Sequence, residues 1–169
     1  MVTLFPLVRD LQADRDRLLR WPHGIVEVVQ GQLAGVRLRP WPKSVSLLGV
    51  WWSGRHTHQR AAGDFCRLYY NRPAGLPNYL TLKYVVSRRG TSFQSFRGAL
   101  QVLDEIARIK GTAAIVCEAS NVRISARLLR RLGWERHVPQ SRRRHYIKRF
   151  YGQLPPPLEN PMLCRAVTD

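Results

Sequence analysis

Residues 79–133 read YLTLKYVVSRRGTSFQSFRGALQVLDEIARIKGTAAIVCEASNVRISARLLRRLG, and this stretch decides the fold. Tyr79–Val86 is rich in β-branched and aromatic residues, which predicts a strand. Ser87–Phe93 is a short polar loop carrying two arginines and a glycine. From Ser95 to Lys110, apolar Phe96, Ala99, Leu100, Leu103, Ile106 and Ala107 recur at helical spacing, and Gly111 marks the stop. Thr112–Cys117 is the short apolar run of a strand buried on both faces. A second helix, capped by Ser120 or Asn121, then runs to Gly133. Strand, crossover helix and parallel strand make a βαβ unit. Such units present a loop and a helix N-terminus at the carboxyl ends of their strands, where ligands bind. Here Arg88, Arg89, Gly90, Thr91 and Ser92 form that loop, a candidate cradle for a phosphate.

Working outward, Leu7, Leu11, Leu18 and Leu19 mark one side of an early helix over about Arg9–Arg20. Ile25–Gln30 and Val36–Arg39 pair as a hairpin across the Gly31–Gly35 region. Val45–Tyr70 admits two readings: helical spacing of Leu48, Trp51, His58, Ala62, Phe65 and Tyr69, or a strand over Val45–Trp52 and a helix from about Thr57. Trp134–Val138 and Arg144–Tyr151 read as closing strands. The expectation is an α/β fold, a mixed β-sheet with flanking helices. Residues 1–152 form one domain, and 153–169 form a proline-rich tail, either draped or loose.

The 169 residues are 44% hydrophobic, enough for a globular core. No apolar run approaches the roughly 20 residues of a membrane-spanning helix. The first residues lack the basic start and apolar middle of a secretory signal, so the expectation is a cytoplasmic protein. Three scattered cysteines, Cys66, Cys117 and Cys164, suit a reducing compartment. The formal charge is +17, with 24 Arg against 4 Lys. Residues 120–151 hold ten basic side chains and one acidic, Glu135. This segment could bind nucleic acid or another polyanion, or be a solvated basic face.

Arg88–Leu100 (RRGTSFQSFRGAL) and Ser120–Trp134 (SNVRISARLLRRLGW) carry a further signal. With the element order, they resemble the C-terminal half of the GNAT N-acetyltransferase superfamily, over about residues 79–151. The resemblance implies an acyl-CoA N-acyltransferase architecture, with acetyl-CoA or another acyl-CoA as co-substrate and an amine as acceptor. It assigns Arg88, Arg89, Gly90, Thr91, Ser92 and Asn121 to cofactor binding. Members bind the CoA pyrophosphate through a Gln/Arg-x-x-Gly-x-Gly/Ala loop. Here Ser87 stands three before Gly90, and Ser92 two after it. Members also carry a tyrosine on the later helix that protonates the leaving thiolate. Counted back from Gly133-Trp134, that position is Leu129, which has no proton to give. The alcohol then comes from Tyr146 or Tyr84, or the chemistry is lost. The alternative function is a catalytically inactive basic protein that binds RNA or another polyanion.

Other constellations stay open. Glu118, just past an apolar strand, reads as a general base or as an ion-pair partner of an arginine. Asp104 and Glu105 read as ion-pair partners of Arg108 and its neighbours. His56 and His58 share a face if they lie on a strand, but no third metal ligand is spaced to join them. Trp51-Trp52 and Tyr69-Tyr70 suit base stacking or core packing. Walker, Rossmann and GxSxG signatures are missing.

Overall fold

The computed structural model describes residues 5–42, 63–87, 90–119 and 124–166. Among these, eight strands form one mixed sheet in the order β1-β3-β2-β4-β5-β6-β8-β7. They are β1 (Leu7–Val8), β2 (His23–Val29), β3 (Gln32–Arg39), β4 (Phe65–Asn71), β5 (Tyr79–Ser87), β6 (Ala114–Glu118), β7 (Glu135–His137) and β8 (His145–Arg149). The helices are α1 (Arg15–Arg20), α2 (Phe93–Ile109), α3 (Ala126–Arg131) and α4 (Pro161–Cys164). Among the described residues, only β5 and β6 pair in parallel; α2 is their crossover. From Tyr79 onward the order is strand, loop and helix, strand, helix and two strands, as the resemblance implies.

α2 buries Ala99, Leu100, Val102, Leu103, Ile106 and Ala107 against the sheet. Val26, Val36 and Leu68 answer from β2, β3 and β4, all fully buried. Each such side chain contributes about 1.5–3 kcal/mol through burial. Between β2 and β3, Gln30 (φ 50°) and Gly31 (φ 74°) make a two-residue turn of the kind right-twisted hairpins favour. The Gly31 N–H donates to Ser95 Oγ at 2.8 Å, fastening the turn to the start of α2. The turn lies at the near edge of the expected region, while Gly35 sits inside β3 opposite Glu27.

Several local expectations are corrected. Leu7, read as part of a helical side, lies with Val8 in a strand paired to β3. The Asp10 carboxylate accepts the N–H groups of Gln12 and Ala13, a turn that competes with helix, so α1 starts only at Arg15. Phe65–Tyr70 is strand, not helix: Cys66, Leu68 and Tyr70 alternate onto the fully buried face. Apolar residues on both faces hid that period of two. The other part of the Val45–Tyr70 reading, through residue 62, lies outside the described residues. The cap of α3 is Ser125, whose Oγ accepts the Leu128 N–H at 3.1 Å, rather than Ser120 or Asn121. In the tail, Asn160 caps the short α4, and Leu163 is buried beside Gly98. The Ala166 N–H reaches the Arg9 carbonyl at 2.6 Å.

Lys110, at the end of α2, holds the end of α1. Its Nζ donates to the carbonyls of Leu18 and, at 2.8 Å, Trp21. Burial, with a smaller push from Arg72, lowers its pKa to about 8 from 10.5. The unfolded chain therefore binds more protons between these values, so stability rises with pH across that window. The gain reaches about 3 kcal/mol at most. Urea unfolding of wild type and Lys110→Met at about pH 7.5 and pH 10 checks this: the wild type gains relative to the variant at the higher pH.

Candidate functional site

β5 and β6 stay paired from Tyr79↔Ala114 to Leu82↔Cys117 and no further. Among the described residues, β5 runs on to Ser87 held by β4 alone. The cause is visible in the β4–β5 register. Tyr69 faces Tyr84 and Tyr70 faces Leu82, which leaves Lys83 unopposed. An extra residue of this kind bends and twists its strand. The bend falls where β6 departs, so the parallel strands part and leave a cleft of about 480 Å³.

The cleft passes between the strands and is lined from both faces of the sheet. Phe96 and Leu100 of α2, Leu129 of α3, Ile124 and Trp134 form an apolar wall. Thr81, Tyr84, Ser87, Glu118 and His145 add polar groups from the strands. Past Leu82, alternate backbone N–H and C=O groups of β5 face the gap instead of a parallel partner. Such groups are obligatory hydrogen-bonding sites and ready to hold amides or a carbonyl.

The register assigns side chains to faces. Lys148 pairs with Asp104 of α2 at 2.6 Å, so Lys148 and Tyr146, two residues apart, share the α2 face. Tyr146 lies opposite Cys117. Glu118 and His145, also cross-strand partners, therefore share the other face. Tyr84 lies there too, its ring edge-on to Tyr69 with centroids 6.2 Å apart. Burial raises the Tyr84 phenol pKa.

The described candidate residues take different places relative to this cleft. Glu118 lines it, with its side chain 44% exposed and Arg143 3.7 Å away. The ion-pair partner expected of it is thus Arg143. Tyr146 does not line it and is buried. The guanidiniums of Arg136 and Arg144 stand 5.7 and 5.8 Å from its ring centroid, and Arg144 Nη2 is 3.4 Å from its hydroxyl. Burial pushes the phenol pKa up, but the two arginines outweigh it and the net shift is downward. Arg144 also donates to the Ile124 carbonyl at 2.5 Å, tying β8 to the approach of α3.

At the β5–α2 loop, Gly90 is exposed at φ 113°, a conformation that glycine tolerates. Thr91 Oγ1 donates to the Phe65 carbonyl at 2.7 Å. Ser92 caps α2 and donates its own N–H and hydroxyl to Asp64. Burial pulls the Asp64 pKa up; these bonds, and one from Ser95, bring it below the ordinary carboxylate value. Arg88, Arg89, Asn121, His56 and His58 lie outside the described residues. Among the described residues no cluster of three His, Cys, Asp or Glu could hold a metal. Nor is any described helix long and apolar enough to cross a membrane.

Sequence reading missed His145 and Asp64. His145 becomes a neighbour of Glu118 only through the β6–β8 register, and Asp64 meets Ser92 across 28 positions. Neither pairing leaves a local signal.

No family model and no curated protein matches the sequence. Among solved structures, the chain is similar to a nourseothricin acetyltransferase at 14% identity, covering 87% of this chain and 99% of that one, with a TM-score of 0.37. A likeness of that size leaves function to be argued from the cleft itself.

Proposed function

We propose that the chain is an N-acyltransferase that takes its acyl group from an acyl-CoA-type thioester. One observation carries this reading: the parallel strands part after Leu82 and Cys117, opening a cleft with one apolar wall and polar strand edges. A pantetheine arm is a chain of methylenes and two amides. It fits between such a wall and the backbone edge of β5 past Leu82. A β5 N–H facing the gap polarises the thioester carbonyl, and the fixed strands supply orientation.

The acceptor amine enters from the face of Tyr84, Glu118 and His145. Its nitrogen attacks the carbonyl carbon, the C–S bond breaks, and the sulfur leaves as thiolate. Glu118 or His145 accepts the amine proton, and Tyr84 donates a proton to the thiolate. Tyr84 suits that role better than Tyr146 because it lines the cleft. Burial, which raises its pKa, keeps it protonated and able to donate.

The test is thiol release from acetyl-CoA in the presence of a panel of primary amines. The expected result is saturable, amine-dependent release. Release that is indifferent to every amine would remove the transferase reading.

Two observations favour the second reading, a basic protein that binds RNA or another polyanion. Apolar Leu129 lines the cleft at the position of the family's tyrosine. Arg127, Arg130, Arg131, Arg142 and Arg143 are all exposed. Binding of this kind releases counterions, so affinity falls linearly on a logarithmic salt axis. A donor held by backbone and apolar wall shows a shallower slope, and filter binding against salt separates the two.

A further inference from the structure

A CoA-type donor brings a diphosphate as well as an arm, and the helix start where an anion would dock already holds a carboxylate. Asp64 precedes β4 and closes onto the β5–α2 loop. Ser92 N–H donates to its Oδ1 at 2.7 Å, and Ser92 Oγ–H to its Oδ2 at 2.5 Å. The Ser92 hydroxyl also accepts the Ser95 N–H at 3.0 Å. Thr91 Oγ1 points back to the Phe65 carbonyl. The hydroxyls of Thr91 and Ser92, and the N–H of the capping residue, are thus spent on the protein itself. An anion arriving here also meets a negative charge close to α2, which opposes the favourable helix dipole.

Resting on the acyl-transfer reading above, we infer that Asp64 fills the diphosphate seat of the donor site. The cleft then selects its thioester by the pantetheine arm and not by the nucleotide beyond it. The arm is uncharged, and the gap offers what it needs: Phe96, Leu100 and Leu129 for its methylenes, and the β5 edge past Leu82 for its amides. The donor class is acyl-pantetheine thioesters, with or without a nucleotide. Asp64 is the specificity residue that makes the nucleotide dispensable.

Calorimetry with acetyl-CoA and with S-acetyl-pantetheine, at about 0.2 M salt to screen the exposed arginines, tests this. Wild type is expected to bind both within about threefold of each other. Asp64→Asn keeps an acceptor for the Ser92 N–H, reverses the second contact so that the amide N–H donates to the Ser92 hydroxyl, and removes the charge. It is expected to shift the ratio of affinities about tenfold toward acetyl-CoA. The wild-type comparison stands even if the variant does not fold. A wild type that favours acetyl-CoA by more than about threefold, or a folded Asp64→Asn with an unshifted ratio, overturns the inference and leaves the transferase reading in place. Binding of neither donor overturns both.

Discussion

Replacing Glu105 with alanine is expected to destabilise the fold by about 3–5 kcal/mol, the range for breaking a buried ion pair by removing one partner. Glu105 sits on α2 at 2% exposure. Its carboxylate accepts from Gln12 Nε2 at 2.6 Å and from Arg108 Nε and Nη2 at 2.9 and 2.5 Å. It also accepts the Leu158 N–H at 3.1 Å. One side chain thus joins the N-terminal segment, the crossover helix and the tail. Burial pushes its pKa up, but the hydrogen bonds, led by Arg108, bring it below the ordinary value. The stability it contributes is therefore present above the unfolded pKa and lost as pH falls through the folded one. Typical domains have only 5–15 kcal/mol in total, so the alanine variant loses a large share. Urea denaturation at neutral pH is the measurement, and Glu105→Gln should fall between the two. A loss below about 1 kcal/mol would mean that the tail and N-terminus are not tied through this residue.

The second large effect separates the two tyrosines. Tyr84→Phe is expected to lower kcat about 100-fold, within the range for loss of a positioned general acid, with little change in KM for the donor. Tyr146→Phe removes a hydroxyl beside Arg144 on a residue that does not line the cleft. It should leave kcat within about twofold and act mainly on stability, by about 1 kcal/mol. Steady-state kinetics with acetyl-CoA and the best amine of the panel, beside thermal melts, reads both. The reverse pattern would place the proton donor on β8 and remove Tyr84 from the mechanism.

The βαβ core was legible because its signals are local. Six apolar residues at helical spacing between Phe96 and Ala107 make α2 unmistakable, and a five-residue strand buried by its neighbours leaves an apolar run. The parallel pairing follows from the length of the crossover. The cleft was legible only as a location, the carboxyl end of β5. Its cause, the unopposed Lys83, depends on how Tyr69 and Tyr70 pair across β4, and no local pattern in β5 announces it. Glu118 was found because it follows an apolar strand; His145 needed the register. Phe65–Tyr70 misled because aromatic residues on both faces of a strand imitate a helical stripe. Asp64 is short, polar and isolated in sequence, and only the fold brings it onto Ser92.

The most direct measurement is a crystal of the chain grown with acetyl-CoA at about 0.2 M salt, where exposed charges are screened beyond roughly 7 to 10 Å. The expected result is thioester density in the splay, between Lys83–Ser87 on one side and Cys117–Ala119 on the other, with the acetyl carbonyl against the β5 backbone and near Tyr84. An empty cleft, with the nucleotide lying instead on the arginine face of α3, would contradict the transferase account and leave a polyanion-binding protein in its place.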